Sequence, residues 1–95
     1  MPLILCCLLW AHPGRETALA EYEDRVLALL PDHGARLVSR VRSDGADGHP
    51  FEVQLFEFPS QGSLDGYLGD PRRTALAADR DAAIAKTELM NVGVI

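Results

Sequence analysis

The sequence predicts a single α+β domain of order β-α-β-β-α-β, with a four-stranded antiparallel sheet that carries both helices on one face and pairs with a second copy across the other. Three observations predict it. Residues 3–10 are apolar on both parities, as in a strand covered on both faces. Asp70-Pro71 supplies an N-cap followed by a first-turn proline, the start of a late helix. The sheet carries more apolar residues than a soluble monomer leaves uncovered, so one face needs a partner. Ninety-five residues leave no room for a second core, and the domain spans 1–95.

The elements follow in order. In residues 3–10, Leu3, Leu5, Cys7 and Leu9 alternate with Ile4, Cys6, Leu8 and Trp10, which suits a central strand. His12-Pro13-Gly14 breaks it, and Leu19, Tyr22, Val26, Leu29 and Leu30 recur at helical spacing until Pro31 and Gly34. From Ala35 to Ser43 the period falls to two, with Leu37 and Val41 opposite Arg36, Arg40 and Arg42. Residues 44–48 form a turn rich in Asp and Gly, and the strand Phe51 to Phe58 completes a hairpin. Along it Phe51, Val53 and Leu55 share one face; Glu52, Gln54, Phe56 and Phe58 share the other. Ser60 caps a short helix bearing Leu64, Tyr67 and Leu68, a longer helix runs from about Pro71 to Ala85, and Thr87 to Ile95 is the last strand. This is the split β-α-β, or ferredoxin-like, order; right-handed crossovers put the first and third strands in the middle. Cys6, Leu8, Trp10, Phe56, Phe58, Met90, Val92 and Val94 are the candidates for the face that a second sheet covers, closing a dimeric α+β barrel.

Composition narrows the function. A net charge of −5, with eight arginines scattered among fourteen acids, excludes a nucleic-acid binder, which needs clustered cations. The opening MPLILCCLLWAH lacks a basic start and stops at about half the length of a membrane span, so it reads as a strand and neither a leader nor an anchor. Adjacent Cys6 and Cys7 point to opposite faces of that strand, so they are expected as free thiols in a reducing cytoplasm. His12, His33 and His49 have no ligand spacing to carboxylates or thiols, and no phosphate loop occurs, so neither metal nor cofactor is expected.

A few polar residues remain as site candidates. Leu76, Arg80 and Ile84 share a helix face, which aims the Arg80 guanidinium at the sheet. There it either pairs with Glu57, which by parity with Leu55 is expected on the helix side, or binds an anionic group. Tyr22 and Tyr67 lie on apolar stripes as core residues or pocket walls, and Tyr67 stands within a turn of Asp70, where the two can orient a phenol or carbonyl. His12 follows the first strand, at the end where a barrel pocket opens; it is either a surface residue or a general base of near-neutral pKa. Trp10 shapes the same end. Arg36, Arg40 and Arg42 with Glu52 and Gln54 form cross-strand pairs at an edge, or line the barrel interior.

The run Phe56-Glu57-Phe58-Pro59-Ser60, then Tyr67, Asp70-Pro71 and Arg80, resembles the second half of small bacterial proteins of the dimeric α+β barrel superfamily. It is most similar to a branch, mostly without assigned activity, that reads E-F-P-S, W-Y, S/D-P and a later Arg. Tyr22 and His33-Gly34 extend the similarity to the first half. Gly66 stands where that branch usually has Trp, and Arg72-Arg73 replace an aromatic, which implies a more open pocket wall. Relatives in the superfamily include cofactor-independent monooxygenases of antibiotic biosynthesis, polyketide cyclases and muconolactone isomerases. The resemblance implies a homodimer and a cofactor-free enzyme of secondary metabolism, an oxygenase or a cyclase or isomerase, acting on an aromatic or polyketide-like molecule. His12 and Arg80 would carry the chemistry, and Trp10, Tyr22, Glu57, Tyr67 and Asp70 would hold the substrate. A non-catalytic dimer that binds a small hydrophobic ligand or supports another protein is the other reading.

Overall fold

A computed structural model describes residues 2–95. The elements are β1 (Leu3–Ala11), α1 (Glu16–Leu27), β2 (Arg36–Arg42), β3 (Glu52–Phe58), α2 (Gln61–Leu68), α3 (Pro71–Thr74), α4 (Ala77–Ala83) and β4 (Ile84–Val92). The four strands form one sheet in the order β2-β3-β1-β4, with antiparallel neighbours throughout. The first and third strands are central, as the doubly apolar β1 requires.

The core lies between this sheet and the helices. Leu5, Cys7 and Leu9 of β1 and Phe56 and Phe58 of β3 face Leu19, Tyr22, Val26 and Leu30. Each large apolar side chain sealed there contributes on the order of 1.5–3 kcal/mol. That burial fixes α1, whose N-cap residue Arg15 makes no side-chain capping bond. α2 is short and carries two glycines, yet Ser60 caps it by accepting the Ser63 N–H at 3.1 Å. The Tyr67 hydroxyl then donates to the Val26 carbonyl at 2.9 Å and ties α2 to α1. Gly34 closes the turn after Leu30–His33 at φ 69°, a left-handed conformation that suits glycine.

The structure corrects the sequence reading in three places. The helix expected from Pro71 to Ala85 is two short ones, α3 and α4, broken at Ala75 and Leu76, and the chain enters β4 at Ile84 because pairing with Ala11 begins there. β4 ends at Val92, opposite Ile4, so Val94 and Ile95 lie beyond the sheet and are exposed. Second, β3 pairs Leu5 with Phe56 and Cys6 with Leu55, so Phe56 and Phe58 face the helices and Glu57 faces away from them. A one-residue difference in parity sends every side chain to the opposite face. Third, an irregularity between Leu37 and Ser39 shifts the β2 register. Arg36 therefore pairs with Glu57 on the open face, at 3.3 Å, while Arg40 and Arg42 reach Glu52 on the helix side.

The open face retains Ile4, Cys6, Leu8, Val53, Leu55, Met90 and Val92, half-buried or exposed in the single chain. Among the described residues, no helix is long and apolar enough to cross a membrane.

Candidate functional site

Between the helices and the sheet opens a cavity of about 260 Å³. Its apolar wall is Leu9, Val26, Phe56 and Leu64; its polar groups are Glu23, Gln54, Tyr67, Arg73, Arg80 and Thr87. α1 supplies Glu23, β3 supplies Gln54, the α3–α4 segment supplies both arginines, and β4 supplies Thr87.

Glu23 is the unexpected member. It sits between Leu19 and Val26 on the buried stripe of α1 and is only 6% exposed. Its carboxylate accepts one bond, from Gln54 Nε2 at 2.9 Å. Burial raises its pKa, the Gln54 hydrogen bond opposes that rise, and the charge of Glu52 adds to it. Gln54, 1% exposed, also donates from Nε2 to Glu52 at 2.8 Å. Glu52 is fully buried and is neutralised by Arg40 and by Arg42, whose Nε lies 3.0 Å away. The chain Glu23–Gln54–Glu52–Arg40 thus runs from the cavity to Asp24 at the surface, 2.6 Å from Arg40.

Arg80 and Arg73 line the same cavity. Arg80 donates from Nη2 to Thr87 Oγ1 at 3.0 Å, and its one carboxylate neighbour among the described residues is exposed Asp81, 3.9 Å away. The expected pair with Glu57 does not form, because β3 turns Glu57 to the open face, where it meets Arg36. Arg73 lies over the Tyr67 ring, 5.2 Å from its centroid. Among the described residues, Arg73 Nε is the buried side-chain nitrogen or oxygen without a hydrogen-bond partner.

The sequence-derived candidates divide accordingly. Arg80 and Tyr67 line the cavity. The Tyr67 hydroxyl is pushed up to about 12 by burial, against the pull of Arg73, and donates to Val26, so it serves as a wall and an anchor. Tyr22 is sealed in the core at 1% exposure, outside the cavity lining. Asp70 caps α3, accepting the Arg72 N–H at 2.9 Å, and also accepts from His33 Nε2 at 2.8 Å. Arg72 and His33 hold its carboxyl well below the usual carboxylate range, and this cluster stands apart from the cavity. His12 bonds through Nε2 to the Asp81 carbonyl at 3.1 Å and does not line the cavity. Trp10 lies on the open face, its Nε1 donating to Gly48 at 2.9 Å and its ring under Lys86 at 4.7 Å.

Glu23 carried a sequence signal: a carboxylate four residues after Leu19 and three before Val26 falls inside the apolar stripe. Gln54 shares parity with Phe56 and Phe58. Among the described residues, no group of three His, Cys, Asp or Glu side chains is arranged to hold a metal ion.

The fold and cavity together define a ferredoxin-like α+β protein with a ligand-sized cleft between its layers. A protein of unknown function from Rhodopseudomonas palustris superposes with TM-score 0.78 at 19% identity, covering 99% of this chain and 82% of that one. A candidate antibiotic biosynthesis monooxygenase from Bacteroides thetaiotaomicron gives 0.77 at 9% identity, covering 99% and 90%. A dimeric protein of unknown function and ferredoxin-like fold from Bacteroides fragilis gives 0.74 at 11% identity, covering 98% and 96%. No protein-family model matches the sequence, and no curated protein matches it. The resemblance to the dimeric α+β barrel superfamily is borne out in fold.

Proposed function

We propose that this chain is a cofactor-independent enzyme that removes a proton from a small aromatic or enolisable molecule in the cavity, with Glu23 as the base and Arg80 and Arg73 stabilising the enolate. The observation that carries this reading is a buried Glu23 carboxyl lining the same cavity as two guanidinium groups. A carboxyl whose proton affinity is raised by burial is matched to general base work nearer neutral pH. Negative charge then develops on the substrate oxygen, where preorganised cations act most strongly.

Returning the proton to another carbon gives an isomerase; attack of the carbanion on a carbonyl of the same molecule, whose oxygen then takes the proton, gives a cyclase; passing an electron from the carbanion to dioxygen opens the oxygenase route. Neither requires a metal, flavin or nicotinamide. An aromatic or polyketide-like compound of secondary metabolism suits the apolar wall. The name of the Bacteroides thetaiotaomicron neighbour favours the oxygenase route. We read the assembly as a homodimer through the open sheet face, a reading supported by its apolar residues and by the dimeric neighbour. A cytoplasmic setting suits the free thiols Cys6 and Cys7.

The test is exchange of the α-protons of 2-tetralone in deuterated buffer, followed by proton NMR. Wild type is expected to exceed buffer, and Glu23→Gln to lower the enzymatic rate by about 10²–10⁴-fold. Equal rates for the two proteins overturn Glu23 as the base. No exchange above buffer in wild type favours a non-catalytic ligand-binding dimer.

A further inference from the structure

We infer that the cavity selects small monoanions, aromatic or enolisable carboxylates whose carboxylate docks on Arg73 and Arg80 while the ring lies against Leu9, Phe56 and Leu64. This deepens the reading of the cavity given above and rests on it as the binding site, independently of the proton transfer.

The charge distribution carries the inference. In a chain of net charge −5, most arginines have carboxylate partners: Arg25 with Asp79, Arg36 with Glu57, Arg40 and Arg42 with Glu52, and Arg72 with Asp70. Arg73 has none within ion-pair distance among the described residues, although it is half-buried in the cavity wall. Its guanidinium carbon lies 5.2 Å from the Tyr67 ring centroid, its Nη1 donates to the Leu68 carbonyl at 3.5 Å, and its buried Nε lacks an acceptor among the described residues. Arg80 has a single carboxylate neighbour at 3.9 Å, and Asp81 there is exposed. Two guanidinium groups lining one cavity with an apolar wall, one of them without a carboxylate partner among the described residues, suit a carboxylate on a ring, which accepts parallel N–H bonds from a guanidinium fork.

Benzoate and its neutral isostere benzamide test the inference by NMR titration of wild type, Arg73→Met, Arg73→Lys and Arg80→Met, each first shown to be folded by its amide spectrum. Benzoate is expected to bind wild type at least tenfold more tightly than benzamide. Arg73→Met and Arg80→Met should each lose about tenfold for benzoate and nothing for benzamide, and Arg73→Lys should recover part of that loss. Benzamide binding as well as benzoate, or Arg73→Met leaving benzoate unchanged, overturns the proposal. Selective benzoate binding without tetralone exchange removes the catalytic reading alone; exchange with charge-blind binding removes this inference alone.

Discussion

Gln54 holds Glu23 by a single hydrogen bond, Nε2 to Oε1 at 2.9 Å, and the same nitrogen spends its other hydrogen on Glu52 at 2.8 Å. Two carboxylates therefore share one amide, but only Glu52 has arginines to neutralise it. Glu23 is left with burial and a like charge nearby, both of which favour its protonated form.

The pH dependence of stability follows from that sign. The folded state holds the Glu23 proton to a higher pH than the unfolded chain does, so the folded state binds more protons in that window and stability falls as pH rises through it. The window opens at about 4.3, the ordinary glutamate value, and extends upward. Glu23→Gln lacks this penalty. Its melting temperature relative to that of wild type should rise as pH increases from about 4.3, each kcal/mol being worth about 4–8 °C in a domain of this size. Parallel melting curves across the series contradict the assignment.

Asp70 behaves oppositely. Its hydrogen bonds from Arg72 and His33 favour the ionised form, so its contribution is complete above about 3.9, the unfolded aspartate value, and is lost as pH falls below that. Asp70→Ala removes the cap of α3 and the link to His33, and should lower the melting temperature by several degrees at neutral pH. The gap to wild type should close in acid. An unchanged neutral-pH melting temperature shows that the cluster contributes nothing net.

The open face predicts association. Light scattering at micromolar concentration should give a mass twice the 10.4 kDa of one chain. Leu8→Asp or Leu55→Asp, each placing a charge in the middle of that face, should give the monomer. A monomeric wild type overturns the dimer, and unchanged mass in both variants moves the interface elsewhere.

Much of the fold was legible because it is written in local patterns. The two parities of residues 3–10 announced a central strand, the Asp-Gly turn after Ser43 announced a hairpin, and Ser60 and Asp70 announced helix starts that both form capping bonds. The site was legible only in part. Arg80 is legible because its helix neighbours are apolar, whereas Glu23 is not, because an acid within a stripe breaks the pattern that marks the stripe. What recommends His12 in the sequence is a property of the residue type, which says nothing about where its ring points.

What the sequence determined by itself is the order of elements, the central place of β1 and the apolar surplus of the sheet, since periodicity and turn chemistry act within a few residues along the chain. What only the tertiary structure decided is which face each strand presents. The pairing of Leu5 with Phe56 turned Glu57 outward and Gln54 inward, where Glu23, Arg73 and Arg80 from the helices join it around one cavity. Register is a relation between segments distant in the chain, and a shift of one residue exchanges the core for the surface.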